Sequence, residues 1–214
     1  MQKYISEFIG TFVLLVSIVG SGIAGQQYTS DQMVILVSHA VVIGLTLIFI
    51  IGIFANFSGA HFNPIVSILF FLQKELSKKD LCLFISIQIT AAILGTIFAN
   101  YIFGLSIVEI SSNIRSGTNI YISEIFASFG LLMVILLSKV GGKNIVAFNV
   151  GIYITAAIIF TSSASFANPA VSIARIFTES FAGINPSTVI FFIGSQVIGM
   201  CGAYFLYNRL FKTK

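Results

Sequence analysis

Asparagine followed by proline occurs three times in this 214-residue chain, at Asn63-Pro64, Asn168-Pro169 and Asn185-Pro186. The Asn side-chain oxygen caps a helix start, and proline at the first helical position gives up no needed N–H while its fixed φ suits the turn. The first two pairs open short apolar stretches of matching sequence, NPIVSILFFLQ and NPAVSIARIF. A helix amino terminus carries about half a positive charge together with unpaired N–H groups. Two such ends placed back to back repel cations, and the carboxamide N–H groups of Asn63 and Asn168 can point into the opening and donate to a passing water or hydroxyl oxygen. Water oriented in that way does not readily relay protons, and a hydrated cation meets dipoles of the wrong sign. The chemistry on offer is selection of small neutral molecules at a midplane built from Asn63, Pro64, Ile65, Asn168, Pro169 and Ala170. Asn185-Pro186 serves as the internal contrast, since it reads only as the start of a long apolar run at a membrane surface.

The elements that must hold these motifs are set by composition. Hydrophobic side chains make up 57% of the chain, charged ones 8%, and the mean hydropathy is +1.03. A soluble domain carries roughly a quarter charged residues, so water-soluble enzymes, nucleic-acid binders and disordered tails are excluded. Apolar runs cover about 4–25, 33–54, 81–103, 120–140, 145–162 and 187–208. Each is long enough for a hydrocarbon core that takes roughly 20 residues per helical span. The segments 55–80 and 163–186 are too long and too apolar for plain loops. Each predicts a helix of about 11 residues that reaches only halfway across the bilayer at about 1.5 Å per residue. The first run begins at Tyr4 and contains Glu7, which reads as a retained span rather than a cleaved signal.

Eleven Lys and Arg against seven Asp and Glu give a net charge of +4. With the amino terminus inside, Lys3, Lys74, Lys78, Lys79, Lys139, Lys143, Arg209, Lys212 and Lys214 face the cytoplasm, leaving Arg115 and Arg175 outside, so both termini are expected to be cytoplasmic. An internal repeat is also present: ISEFIGTFVLL at 5–15 matches ISEIFASFGLL at 122–132 at six of eleven positions, and FISIQ at 84–88 answers FIGSQ at 192–196. Three spans per half is an odd number, so the halves, about 1–105 and 118–214, must sit upside down relative to each other within one channel domain, 1–214. Inverted repeats with broken helices put the transported species at the midplane.

Glu7 and Glu124 fall at equivalent repeat positions inside spans, where an unpartnered carboxylate costs a few kcal/mol. One reading is proton coupling; the other is that each accepts hydrogen bonds from backbone N–H groups of the non-helical stretch before its half-helix. His61 caps or packs that stretch, or gates it. His39, one turn from Ile43, lines a vestibule or lies at the lipid interface. Ser162, Ser163 and Ser165 are candidates for a polar stripe, and Gln88 and Gln196 for holding the loops. Arg175, four residues past Val171, either places its charge in the outer vestibule or anchors the half-helix end. Cys82 and Cys201, 119 positions apart, show neither a metal spacing nor a disulfide framework and read as small buried thiols. Ala91 with Gly95 and Gly199 with Ala203 permit close helix crossing.

With SGAHFNPIVS and SFANPAVSIAR, the inverted repeat and a glutamate in spans one and four, the chain resembles the aquaporin and aquaglyceroporin family along essentially its whole length. The resemblance implies an all-α membrane protein of six transmembrane helices and two re-entrant half-helices. It also implies a homotetramer with one pore per subunit in the cell membrane, and passive permeation with no cofactor. Family spacing puts the four residues of the outer constriction at Ile43, Ala156, Ser165 and Val171. The family arginine is replaced by Val171, and Ile65 stands where Ala is usual. An arginine-free constriction with Ala156 predicts a wider, greasier opening that passes small uncharged polyols or hydroxides. The run SFANPAVSIARIFTESFAGI is similar to a bacterial arsenic-associated subgroup, which adds neutral trivalent or methylated arsenic species as solutes. A strict water channel and a proton-coupled secondary transporter are the rival readings.

Overall fold

A computed structural model describes residues 1–211; Lys212 and Lys214, counted above on the cytoplasmic side, lie outside the described residues. The described residues form eight α-helices and no strand: α1 (Gln2–Tyr28), α2 (Gln32–Phe54), α3 (Pro64–Leu72), α4 (Lys78–Ile102), α5 (Thr118–Ser138), α6 (Lys143–Phe160), α7 (Pro169–Ala174) and α8 (Pro186–Leu210). Six are long and apolar enough to cross a membrane. Their starts follow from capping chemistry: Asp31 accepts from the Met33 and Val34 N–H groups at the head of α2, Ser77 from Asp80 N at α4, and Asn185 from Ser187 N at α8. The two half-helices are shorter than the sequence predicted, nine residues in α3 and six in α7. After α7 a 3₁₀ turn, Arg175–Phe177, continues the chain.

The packing carries the repeat. α1 packs on α4 and α2, as α5 packs on α8 and α6; α3 meets α4 and α8, as α7 meets α8 and α4; α2 crosses α6, and α3 meets α7. Exchanging α1 with α5, α2 with α6, α3 with α7 and α4 with α8 leaves this set unchanged, which is an inverted repeat expressed as contacts.

Glycines set the closest approaches. A Cβ on Gly95 would stand 2.6 Å from the Phe12 carbonyl oxygen, and one on Gly199 2.5 Å from that of Ile125. Both are close helix crossings at the glycine of each small-residue pair, and Ala91 and Ala203 are buried one turn from them in sequence. At the α2–α6 crossing, a Cβ on Gly44 would lie 2.7 Å from the Gly151 carbonyl oxygen, and one on Gly151 2.5 Å from that of Gly44. Gly199→Ala is therefore expected to lower the thermal unfolding midpoint in detergent. Overpacking against backbone costs about 1–3 kcal/mol, which outweighs the roughly 1 kcal/mol gained in helix propensity. An unchanged midpoint would refute the close crossing.

Cys82 and Cys201 are both exposed, contrary to the expectation of buried thiols. In a membrane protein the apolar side chains divide between core and lipid-facing surface, and Leu45, Phe49, Phe126, Ile190 and Phe205 lie on that surface as well. Charge divides by end. Lys3 pairs with Asp80 at 2.8 Å, Lys139 with Glu75 at 2.6 Å, and Lys143 donates to Asn56 at 2.9 Å, all at one end of the bundle. Arg115 and Arg175 sit together at the other, beside the 178–185 loop.

Candidate functional site

Each half-helix is preceded by non-helical backbone that crosses the interior, where no water satisfies its N–H groups. A buried glutamate does so instead. Glu7 accepts from His61 N (2.9 Å), Phe62 N (2.8 Å), Ser58 Oγ (2.7 Å) and Gln88 Nε2 (2.7 Å). Glu124 accepts from Phe166 N (3.2 Å), Ala167 N (2.7 Å) and Gln196 Nε2 (2.7 Å). These bonds are the arrangement that the loop-support reading requires. Gln88 and Gln196 bind the carboxylates rather than the loops themselves, and each also donates to a half-helix serine, Ser67 at 3.0 Å and Ser172 at 2.9 Å. The backbone pays for the crossing in conformation: Ala60 and Phe62, and their repeat mates Ser165 and Ala167, hold φ of 53°, 50°, 44° and 44°. Gly10 clears room for this path, since a Cβ there would stand 2.1 Å from the Phe62 ring.

The two motifs meet. Asn63 Oδ1 accepts from Ile65 N at 3.1 Å, and Asn168 Oδ1 from Ala170 N at 2.9 Å and Val171 N at 3.3 Å, so both cap their helices. Their amide nitrogens do more than face the opening. Asn63 Nδ2 donates to the Ala167 carbonyl at 2.7 Å and Asn168 Nδ2 to that of Phe62 at 2.9 Å, a reciprocal tie between halves. A carboxamide has two N–H bonds, so one per asparagine remains for solute.

A cavity of about 460 Å³ runs past both asparagines, from Lys139, Lys143 and Glu75 at one end to His39 and Arg175 at the other. Its wall is apolar, with Leu14, Ile18, Ile43, Leu47, Val66 and Val171 among the lining residues. Pro64, Ile65, Pro169 and Ala170 are buried at the half-helix junction and do not line it, so Ile65 does not crowd the path. Ile43, Ser165 and Val171 line it, but Ala156 is exposed on the outer surface of the bundle. The cavity-facing row of α6 is Val146, Val150, Ile154 and Ile158. Ala156 is two residues from each of the last two, about 200° round the helix. The argument for width from Ala156 therefore falls, and isoleucine takes that wall. Of the three candidate serines only Ser165 lines the cavity, and its hydroxyl oxygen is itself buried; Ser162 is exposed and Ser163 Oγ accepts from Ser165 N.

His39 is a lining residue, its Nδ1 2.8 Å from Ser21 Oγ. His61 packs between Phe70 and Phe84 and sits 3.1 Å from Ser67 Oγ through Nδ1. Arg175 combines both of its readings: it lines the cavity, and its Nε donates to the Ala182 carbonyl. Arg115, which motif spacing gave no reason to single out, donates to the Phe181 and Gly183 carbonyls at 2.8 and 3.1 Å. On the surface above, Glu179 accepts from Ser112 Oγ and N, both at 2.6 Å, and these bonds hold its carboxyl below the usual carboxylate range. Among the described residues no cluster could hold a metal ion.

The model for the major intrinsic protein family matches residues 1–167. Aquaglyceroporin AqpS of Rhizobium meliloti (strain 1021) is 37% identical over 211 residues, covering 99% of this chain and 91% of its own length. Aquaporin NIP3-1 of Arabidopsis thaliana is 27% identical over 228 residues, covering 100% of this chain and 69% of its own. The X-ray structure of the aquaglyceroporin from Plasmodium falciparum superposes with a TM-score of 0.73 over 98% of this chain and 96% of that one, at 22% identity. The family match, the nearly full-length relative and the shared fold agree with the geometry: this chain belongs to the major intrinsic protein family, and is a membrane channel rather than an enzyme.

Proposed function

We propose that the chain is a passive channel for water and small uncharged solutes of the glycerol type, and that neutral trivalent or methylated arsenic species also pass. The observation that carries this reading is the tie between Asn63 and Asn168 beside a mostly apolar cavity. Two capped helix ends give the midplane positive potential and two N–H donors, which suits an oxygen-bearing neutral passenger and opposes a cation. The arsenic reading rests on the resemblance of the second half-helix and its following loop to the arsenic-associated subgroup. Transporter chemistry is disfavoured because Glu7 and Glu124 are each saturated by donors from the loop and a glutamine.

The constriction in this reading is formed by Ile43, Val171 and Ile154 or Ile158, with Ser165 contributing backbone. Following the excess of Lys at one end, that end is cytoplasmic and both termini with it. The functional unit is one channel domain of two repeats, assembled as a homotetramer in the cell membrane. Proteoliposomes test the proposal: wild-type protein should speed osmotic shrinkage and then reswelling in glycerol, without any dependence on a proton gradient. Shrinkage with negligible reswelling would establish a strict water channel instead, and proton-driven accumulation a transporter.

Val171 lines the path at 3% exposure. Val171→Arg is expected to lower glycerol flux at least about tenfold more than water flux, an added barrier of roughly 1.4 kcal/mol from narrowing. An unchanged glycerol-to-water ratio would show that Val171 is not at the constriction.

A further inference from the structure

The two ends of the cavity differ in one respect that the repeat does not explain. Counting from the motif asparagines, His61 and Phe70 in the first half correspond to Phe166 and Arg175 in the second. In the first half these are two rings in tilted contact, with centroids 4.6 Å apart. In the second, the Arg175 guanidinium carbon lies 3.6 Å from the Phe166 centroid. At the first end the cation over Phe70 is Lys139, 4.8 Å from the ring and paired with Glu75, whereas at the other end the cation over Phe166 has no carboxylate partner among the described ion pairs.

That cation is buried and unmatched. Arg175 is 4% exposed, and the ion pairs among the described residues, Lys3–Asp80 and Lys139–Glu75, do not include it. Burying a guanidinium without a carboxylate is costly, so a residue kept in that state calls for a use. Its Nε is taken by the Ala182 carbonyl, while its terminal nitrogens have no hydrogen-bond partner among the described residues and the residue lines the cavity. The mount is rigid: Phe166 supports one face, and the loop that carries Ala182 is tied down by Arg115 through the carbonyls on either side, Phe181 and Gly183. Around it the wall is Ile43, Ile154, Ile158 and Val171, which offer no donors, and the Ser165 hydroxyl is buried. An oxygen-bearing solute that sheds water here finds its hydrogen bonds at Arg175, with His39 as the other polar side chain at this end.

We propose that Arg175 is the specificity-determining donor at this end of the pore: its free guanidinium N–H groups bind hydroxyl oxygens of uncharged solutes as they pass. A planar fork of donors is suited to two oxygens of one polyol or hydroxide, which a point charge is not. This rests on the channel reading above and names the residue that sets its preference.

The experiment compares wild type, Arg175→Met and Arg175→Lys in proteoliposomes at matched amounts of monodisperse protein. Arg175→Met should lower the glycerol-to-water permeability ratio about tenfold, and Arg175→Lys, which keeps the charge and can reach Ala182 but loses the fork, about threefold. A ratio equal to wild type in either folded variant overturns the proposal and leaves Arg175 as a loop anchor. Should neither variant fold, the wild-type chain decides through an arginine-directed dicarbonyl reagent. Molar glycerol should slow modification of Arg175 by a factor of about three or more, read by peptide mass, and unslowed modification overturns the proposal. Wild-type vesicles that pass glycerol no faster than bare lipid would refute the channel reading, a result distinct from any of these.

Discussion

Glu7→Leu is expected to yield no monodisperse protein. The carboxylate takes four donors, of which the His61 and Phe62 N–H groups and Gln88 Nε2 are buried with no other acceptor offered by a leucine. Each orphaned donor costs about 1–3 kcal/mol, so three cost roughly 3–9, against a total stability on the order of 5–15 kcal/mol. Glu7→Gln keeps one oxygen but turns an NH₂ group toward donors, and should fall between wild type and leucine. Glu124, held by the Phe166 and Ala167 N–H groups, Gln196 and Ser163, the repeat mate of Ser58, should respond to the same changes in the same order. Size-exclusion profiles and thermal unfolding in detergent give the ranking. Normal yield of Glu7→Leu or Glu124→Gln with an altered proton leak would reverse the assignment and make these carboxylates part of a transport cycle.

The reason so few residues carry so much is that the halves are coupled at two levels. Within each half, a carboxylate on the first helix, a glutamine on the last and a serine on the half-helix form one connected set: Glu7, Gln88 and Ser67, then Glu124, Gln196 and Ser172. Between halves, Asn63 and Asn168 each donate to the carbonyl just before the other's motif. The position of either asparagine therefore depends on the glutamate of the opposite half, because Glu124 fixes Ala167 and Glu7 fixes Phe62. A substitution at Glu7 should disturb the Asn168 side of the midplane as much as the Asn63 side.

Much of this was legible in the sequence because a lipid solvent leaves few solutions. Six apolar runs, two half-length ones and an odd number of spans per half are enough to require an inverted repeat, and Asn-Pro at matching places locates the half-helix starts. The ring of side chains around the path was less legible, for a geometric reason. Spacing from a motif predicts a position along the chain, whereas lining depends on the angle about a helix axis, and a two-residue error moves a side chain to the far face. Ala156 lies on the far face in that way, while Ile43 and Val171 line the cavity, Val171 being one turn from its own cap. The Ser67–Gln88 and Ser172–Gln196 bonds carried a signal that went unused, because the serine recurs in both NPxVS motifs and the glutamine in both FIxxQ-like segments. Arg115 carried none: its partners are backbone carbonyls of a loop, which sequence does not identify.

Asn168→Asp should convert a barrier to cations into a binding site for them. The substitution keeps the cap on Ala170 and Val171 but replaces the Nδ2 donor to Phe62 with an oxygen, and it sets a negative charge between two helix ends worth about half a positive charge each. A carboxylate attracts a monovalent cation about 4 Å away by about 4 kcal/mol at an effective dielectric near 20, on the order of a thousandfold in rate if fully expressed. The helix ends offset part of that, so a rise in sodium flux of at least about tenfold is expected, together with slower glycerol passage. Asn168→Ala, which removes the donor and the cap without adding charge, should lower stability and leave sodium excluded. The pair of variants separates charge from looseness, since a channel that leaks only because its halves have parted would leak in both. If Asn168→Asp still excludes sodium while conducting water at the wild-type rate, the midplane is not where cations are stopped. The remaining fixed positive charge on the path at that end is then Arg175, whose removal in the same background should open it.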